Sequence, residues 1–254
     1  MDNLTILKIG GSVITDKNKE ETARHSQMQR ISKEIAKAKS QKNNLILIHG
    51  AGSFGHIQAK KFDLNNSFDP KGVLLTHNAV KDLNGIFLNF LSKEDLSVAP
   101  IHPMSCTVLK GGRITSIFTE QIKLMLKSDI IPVLHGDVVF DLDGGVRILS
   151  GDQIVTYLAE EMKAKSVGLG SNVDGIMVED KVVEKITPQV FEDIKHHLGG
   201  SENIDVTGGM SGKVNELLKL AKSGISSCIF NASVKNEVGG FLSGMQVGTL
   251  VCGR

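Results

Sequence analysis

A chain of 254 residues with 41% hydrophobic content can bury a large α/β core without disulfide or metal staples. Its 29 basic and 28 acidic residues leave a formal charge of +1, so no broad basic field exists to grip nucleic acid or an anionic membrane, and any phosphate site has to be local. Trp is absent and Tyr occurs once, which leaves few stacking platforms for single strands. Cys106, Cys228 and Cys252 are widely spaced, form no CxxC pair and are expected to be buried thiols rather than metal ligands. The first residues run straight into LTILKIG without a basic and then apolar leader, and no apolar run reaches ~18 residues, so the expected location is the cytoplasm.

In chain order, residues 4–9 are apolar on both faces and predict a buried strand; an amphipathic helix follows at 24–39 and a second strand at 45–49. Asn65-Asn66 and Asp69-Pro70 mark 65–72 as a polar surface loop, and helical periodicity resumes at 77–91. Gly111-Gly112 and Asp143-Gly144-Gly145 place hairpins at 107–116 and 138–149, on either side of a strand at 130–134. The remaining expectations are a helix at 152–163, a strand at 165–169, a third hairpin at 176–186, helices at 188–197 and 213–223, and a strand at 227–230. Strands apolar on both faces and separated by helices predict an α/β fold with a mostly parallel sheet covered on both sides, the three hairpins being added to it. No repeat or linker divides the chain, so a single domain is expected, with a soft boundary between two lobes, 1–163 and 164–254.

Glycine clusters follow several strands, where open α/β sheets bind ligands. Lys8-Ile9-Gly10-Gly11-Ser12, with Lys17 a little further on, can turn tightly and offer N–H groups and ammonium charge to an anion. His49-Gly50-Ala51-Gly52-Ser53-Phe54-Gly55-His56 formally contains GxGxxG. A dinucleotide site also wants an acidic residue ending a second strand about 20 residues on; here that stretch is the polar loop, so a phosphate cradle closed by His56 is the better reading. Ser150-Gly151-Asp152 opens a helix, where the carboxylate can cap or can hold lysines. Gly208-Gly209-Met210-Ser211-Gly212-Lys213 misses the P-loop pattern at Thr207 and Val214, yet Lys213 remains a good phosphate ligand at a glycine-rich helix start. Phosphoryl transfer needs mainly alignment and charge neutralisation, which lysines, N–H groups and Mg²⁺ supply.

The ordered set LKIGGSVIT, HGAGSFGH, FDPKGVLLTH, LSGD, SNVDG and TGGMSGK resembles the isopentenyl phosphate kinases, within the amino-acid-kinase superfamily, over nearly the whole chain. The strand-GGS start and the GGM-x-x-K segment are shared across that superfamily; the histidine of HGAGSFGH separates phosphate and phosphonate acceptors from carboxylate ones.

The resemblance implies an open αβα sandwich, an N-terminal acceptor lobe, a C-terminal ATP lobe and a homodimer. Lys8 and Lys213 are then expected on ATP phosphates, Lys17 on the transferred γ-phosphoryl, and Asp152 as the group orienting the lysines. Ala51, Gly52, His56 and Gly151 would bind the acceptor phosphate. Gly10, Gly11 and Ser12 would line the phosphoryl path with Gly52, and Asp174, Gly175 and Gly209 would belong to the nucleotide pocket. The expected reaction is ATP- and Mg²⁺-dependent phosphorylation of an isoprenyl phosphate, with no protein metal ligands. Val80, Leu83, Ile86 and Phe87 on one helix offer an apolar wall for the isoprenoid tail. A fosfomycin-type phosphonate kinase and a catalytically silent regulatory domain are the alternatives.

Overall fold

A computed structural model describes residues 3–39, 44–197 and 209–253. The chain begins with β1 (Leu4–Ile9), α1 (Gly11–Ile14), α2 (His25–Lys39), β2 (Asn44–His49), α3 (Gly52–Lys61) and α4 (Pro70–Ser92). It continues with β3 (Val98–Pro100), α5 (Pro103–Cys106), β4 (Thr107–Lys110), β5 (Arg113–Ile117), α6 (Thr119–Lys127), β6 (Ile131–His135), β7 (Asp137–Phe140), β8 (Val146–Leu149) and α7 (Gly151–Glu161). After it come β9 (Ser166–Ser171), β10 (Met177–Val178), β11 (Lys181–Val182), β12 (Lys185–Ile186), α8 (Pro188–Ile194), α9 (Gly209–Lys222), β13 (Ser227–Asn231), α10 (Glu237–Leu242) and β14 (Thr249–Val251).

Eight strands form one sheet in the order β12-β14-β13-β9-β1-β2-β6-β3, parallel throughout except where β14 runs against β13. Period-two alternation sends successive side chains to opposite faces. Ile6, Ile48 and Val167 join the core under α7 and α9, while Leu7, Leu47 and Phe230 join the core under α2, α4 and α10. Each such fully buried side chain contributes about 1.5–3 kcal/mol. The register pairs Ile9 with both His49 and Gly170, and His49 with His135, so the loops leaving β1, β2, β6 and β9 emerge level at one edge of the sheet.

Several expectations need correction. The helix expected at 77–91 starts at Pro70, because the Asp69 carboxylate accepts from Gly72 N at 3.0 Å and proline suits the first helical position. The segment around His56 is helical (α3) rather than a loop. The hairpins β4–β5 and β7–β8 form their own two-stranded sheets instead of joining the main one. They are tied to each other by Asp141, whose carboxylate accepts from Gly111 N at 3.1 Å and Gly112 N at 2.6 Å. Of the third, β10 and β11 pair with each other and β12 joins the sheet edge. Leu83 and Phe87 are fully buried in the core beneath the sheet. None of the three cysteines forms a disulfide. Among the described residues no helix is long and apolar enough to cross a membrane.

Candidate functional site

Lys8 is the next-to-last residue of β1, a position that faces the start of α7 across the sheet. Its ammonium lies 2.6 Å from Asp152 Oδ1, and Lys213 Nζ, from the first turns of α9, lies 3.3 Å from Oδ2. Two lysines from distant parts of the chain thus share the carboxylate of a third residue. Burial alone would push the Asp152 carboxyl up, but Lys8 and then Lys213 outweigh it and hold the group below the usual carboxylate range. A buried pair is a weak source of stability, since desolvation offsets the attraction. What it does secure is the position of two ammonium groups. Beside them a cleft of about 160 Å³ is walled by Ser150, Gln153, Arg113 and Glu216, the last two joined by a two-pronged ion pair at 2.8 and 3.0 Å between β5 and α9.

The glycine clusters pack against each other rather than projecting separately. A Cβ built on Gly11 would lie 2.3 Å from Gly52 N, and one built on Gly50 would lie 2.6 Å from Gly11 N, so only glycines allow the two loops to cross this closely. Thr15 locks the crossing: its hydroxyl donates to Gly11 O at 2.8 Å and accepts from Ser53 N at 3.0 Å. The N-termini of α3 and α7 converge on Gly136, from whose ideal Cβ position Ala51 N is 3.6 Å and Gly151 N 3.5 Å away. Each helix N-terminus carries about half a positive charge. Two of them meeting beside two lysines form a concentrated anion site in a chain of almost zero net charge.

Behind this convergence lies a polar layer. Asp137 accepts from Met104 N at 3.1 Å and Val138 N at 2.9 Å and faces His77 Nδ1 at 3.0 Å; His135 Nε2 lies 2.9 Å from His102 Nδ1. Burial drives the His135 pKa down to about 3, so the ring is neutral, and it lowers His49 as well.

Beyond the ends of β1 and β9, Ser12 Oγ donates to Asn172 Oδ1 at 3.2 Å and Asn231 Nδ2 donates to Asp174 Oδ1 at 2.7 Å, which brings Gly10, Gly11 and Ser12 beside the 171–175 turn. His56 is exposed on the second turn of α3. Lys17 stands on an exposed turn, and its ammonium enters no ion pair among the described residues. Gly209 begins α9, four residues before Lys213. Thr15, Gly50 and Asn172 lay within the motifs singled out from the sequence but were given no role, whereas Asn231 and the His135-Gly136-Asp137 turn were missed. Both of the latter sit at strand ends, and that position was the available signal.

Glycine-lined anion sites fed by two helix N-termini, with a lysine–aspartate–lysine cluster at the C-terminal edge of a parallel sheet, define a phosphate-handling α/β protein without a P-loop. The chain belongs to the amino acid kinase family, whose model matches residues 3–231. Within that family, an isopentenyl phosphate kinase of Methanocaldococcus jannaschii is 37% identical over 258 residues, covering 97% of each chain. One of Methanothermobacter thermautotrophicus is 34% identical, covering 99% of this chain and all of its own. A solved isopentenyl phosphate kinase structure superposes with a TM-score of 0.83 at 31% identity, covering 97% of this chain and 99% of that one.

Proposed function

We propose that this chain transfers the γ-phosphoryl group of ATP to isopentenyl phosphate, giving isopentenyl diphosphate and ADP, and that it also accepts dimethylallyl phosphate. The observation that carries the reading is the meeting of the α3 and α7 N-termini beside the Lys8–Asp152–Lys213 cluster, which offers adjoining places for two phosphate groups. The acceptor phosphate sits on the Ala51, Gly52 and Gly151 amides with His56 donating from α3. The ATP phosphates lie on Lys8, Lys213 and the loop of Gly10, Gly11 and Ser12, and the rest of the nucleotide beside Asp174, Gly175 and Gly209. Lys17, on its exposed turn, comes to the γ-phosphoryl when substrates are bound.

In the transfer an acceptor phosphate oxygen bonds to the γ-phosphorus as the bond to the ADP oxygen breaks in line. A phosphate monoester has a second pKa of about 6, so the attacking oxygen is already ionised and no general base is needed. Asp152 has both oxygens engaged by lysines, and the described residues hold no group of three His, Cys, Asp or Glu side chains able to ligate a metal. Mg²⁺ bound with the nucleotide would supply further charge neutralisation on the phosphates beside Lys8 and Lys213. With Leu83 and Phe87 in the core, the isoprenoid tail faces the smaller apolar cluster between α3, α4 and the β7–β8 hairpin, where Phe62, Met104 and Ile148 are only partly buried. The protein works in the cytoplasm as a homodimer, with residues 1–163 as its acceptor lobe and 164–254 as its nucleotide lobe.

The test is ADP release with Mg-ATP and isopentenyl phosphate, dimethylallyl phosphate or fosfomycin, with Lys17→Ala as the contamination control. Turnover of the isoprenyl phosphates that disappears in the variant supports the reading. Turnover with fosfomycin alone, or with none of the three, overturns it.

A further inference from the structure

One ion pair far from the lysine cluster is spent on backbone rather than on solvent. Arg30 and Glu34 stand one turn apart on α2, with Nη1 2.6 Å from Oε1 and side-chain exposures of 20% and 10%. As a helix surface pair it would contribute only about 0.3–0.5 kcal/mol, too little to explain its burial. Both members instead grip the segment after β13. The Arg30 guanidinium donates to Val234 O at 3.0 Å and to Ala232 O, and Gln27 Oε1 holds its Nε and Nη2 at 3.1 and 2.8 Å. The Glu34 carboxylate accepts from Asn236 N at 2.9 Å and Gly239 N at 3.0 Å.

Glu34 therefore does the work of an N-cap for α10 from a different helix, since the Asn236 side chain makes no cap hydrogen bond of its own. Asn236 also has φ of +70°, the left-handed conformation that asparagine accepts more readily than other residues with side chains, and Glu34 binds its N–H. The segment so held reaches the nucleotide side of the sheet. Ala232 N donates to Ser171 O at 2.8 Å, Ser233 N donates to Asn231 Oδ1 at 3.0 Å, and Asn231 Nδ2 in turn holds Asp174 at 2.7 Å.

We infer that Arg30, Glu34 and Gln27 form a positioning brace that fixes residues 231–239 and, through Asn231, the Asp174 carboxylate, thereby setting nucleotide affinity without touching the nucleotide. The inference rests on the placement of the nucleotide beside Asp174 proposed above. Glu34→Gln keeps the side-chain shape but leaves an amide NH₂ facing one of the two backbone N–H groups. Arg30→Lys keeps the charge but cannot reach both carbonyls.

The experiment measures ATP affinity by titration calorimetry with no acceptor present, and then KM for each substrate at saturating concentration of the other. For Glu34→Gln the expected result is a rise of about tenfold in the ATP dissociation constant and KM through misplacement of the Asp174 carboxylate, with KM for isopentenyl phosphate within about twofold of wild type. Arg30→Lys gives a smaller change in the same direction and serves where Glu34→Gln does not fold. Unchanged ATP affinity in a folded variant, or equal rises in both KM values, overturns the brace. Wild-type protein that binds ATP but turns over no isoprenyl phosphate removes the acceptor reading and leaves the calorimetric test intact.

Discussion

Replacing Gly11 by alanine tests the crossing of the two phosphate loops directly. The new Cβ would stand 2.3 Å from Gly52 N and 2.6 Å from Gly52 Cα, where ordinary contact begins at 3.4 Å, and both neighbours are backbone. No rotamer change relieves such a clash, so the α3 N-terminus must move by roughly 1 Å relative to β1. Overpacking of this kind costs about 1–3 kcal/mol, which at about 2–4 °C per kcal/mol for a chain of this size lowers Tm by several degrees. The larger effect is on alignment, since a misplacement of about 1 Å costs on the order of a hundredfold in rate. The assay is kcat/KM for isopentenyl phosphate by ADP release, with Tm from thermal denaturation. Gly85→Ala is the control, because a Cβ there meets nothing within 4 Å and helix interiors favour alanine by about 0.5–1 kcal/mol. A Gly11→Ala enzyme with kcat/KM within about threefold of wild type would refute the close crossing as the reason for glycine.

Asp152→Asn leaves Lys8 and Lys213 without their shared anion and should lower kcat/KM by about 10²–10³-fold. Because the folded Asp152 pKa is depressed, its stabilisation is complete above the unfolded value of about 3.9 and is lost as pH falls through the lower folded value. Urea melts should therefore show a constant difference between wild type and Asp152→Asn at near-neutral pH that closes only in strong acid; a difference that closes near neutrality would contradict the shift. His135 shifts stability in the same direction but over a higher pH window, its folded pKa of about 3 lying below the usual imidazole value of 6.5. As pH falls below 6.5 the unfolded chain takes up the proton first, so stability should decline by up to about 1.4 kcal/mol per pH unit until pH nears 3. His135→Gln should flatten that decline, and identical acid slopes in the two proteins would show that the ring does not stay neutral.

The strands β1, β2, β9 and β13 and the helices α2 and α7 were legible because burial on both faces, or on one stripe, is written into local residue order. The glycine and lysine motifs were legible as phosphate chemistry for the same reason, since each needs only a few adjacent residues. Helices α6 and α10 were not expected, and three further features show why a local reading fails. Helix α3 holds Gly52 and Gly55, poor helix formers, and is helical in company with α4, where a Cβ on Gly55 would meet Val80 at 2.7 Å. The first turns of α4 were hidden because Asp69-Pro70 signals a turn and a helix start equally well. The short strands β3 and β14 have three residues each, too few for any period to register. What tertiary structure alone decided is the convergence: Lys8 and Asp152 are 144 positions apart, and Arg30 and Ala232 are 202 apart. Amino-acid order determined which groups could bind phosphate and which segments could be buried. The sheet, by bringing the C-terminal ends of β1, β2, β6 and β9 level, decided that those groups share one edge, because parallel register places every strand-end loop on the same side.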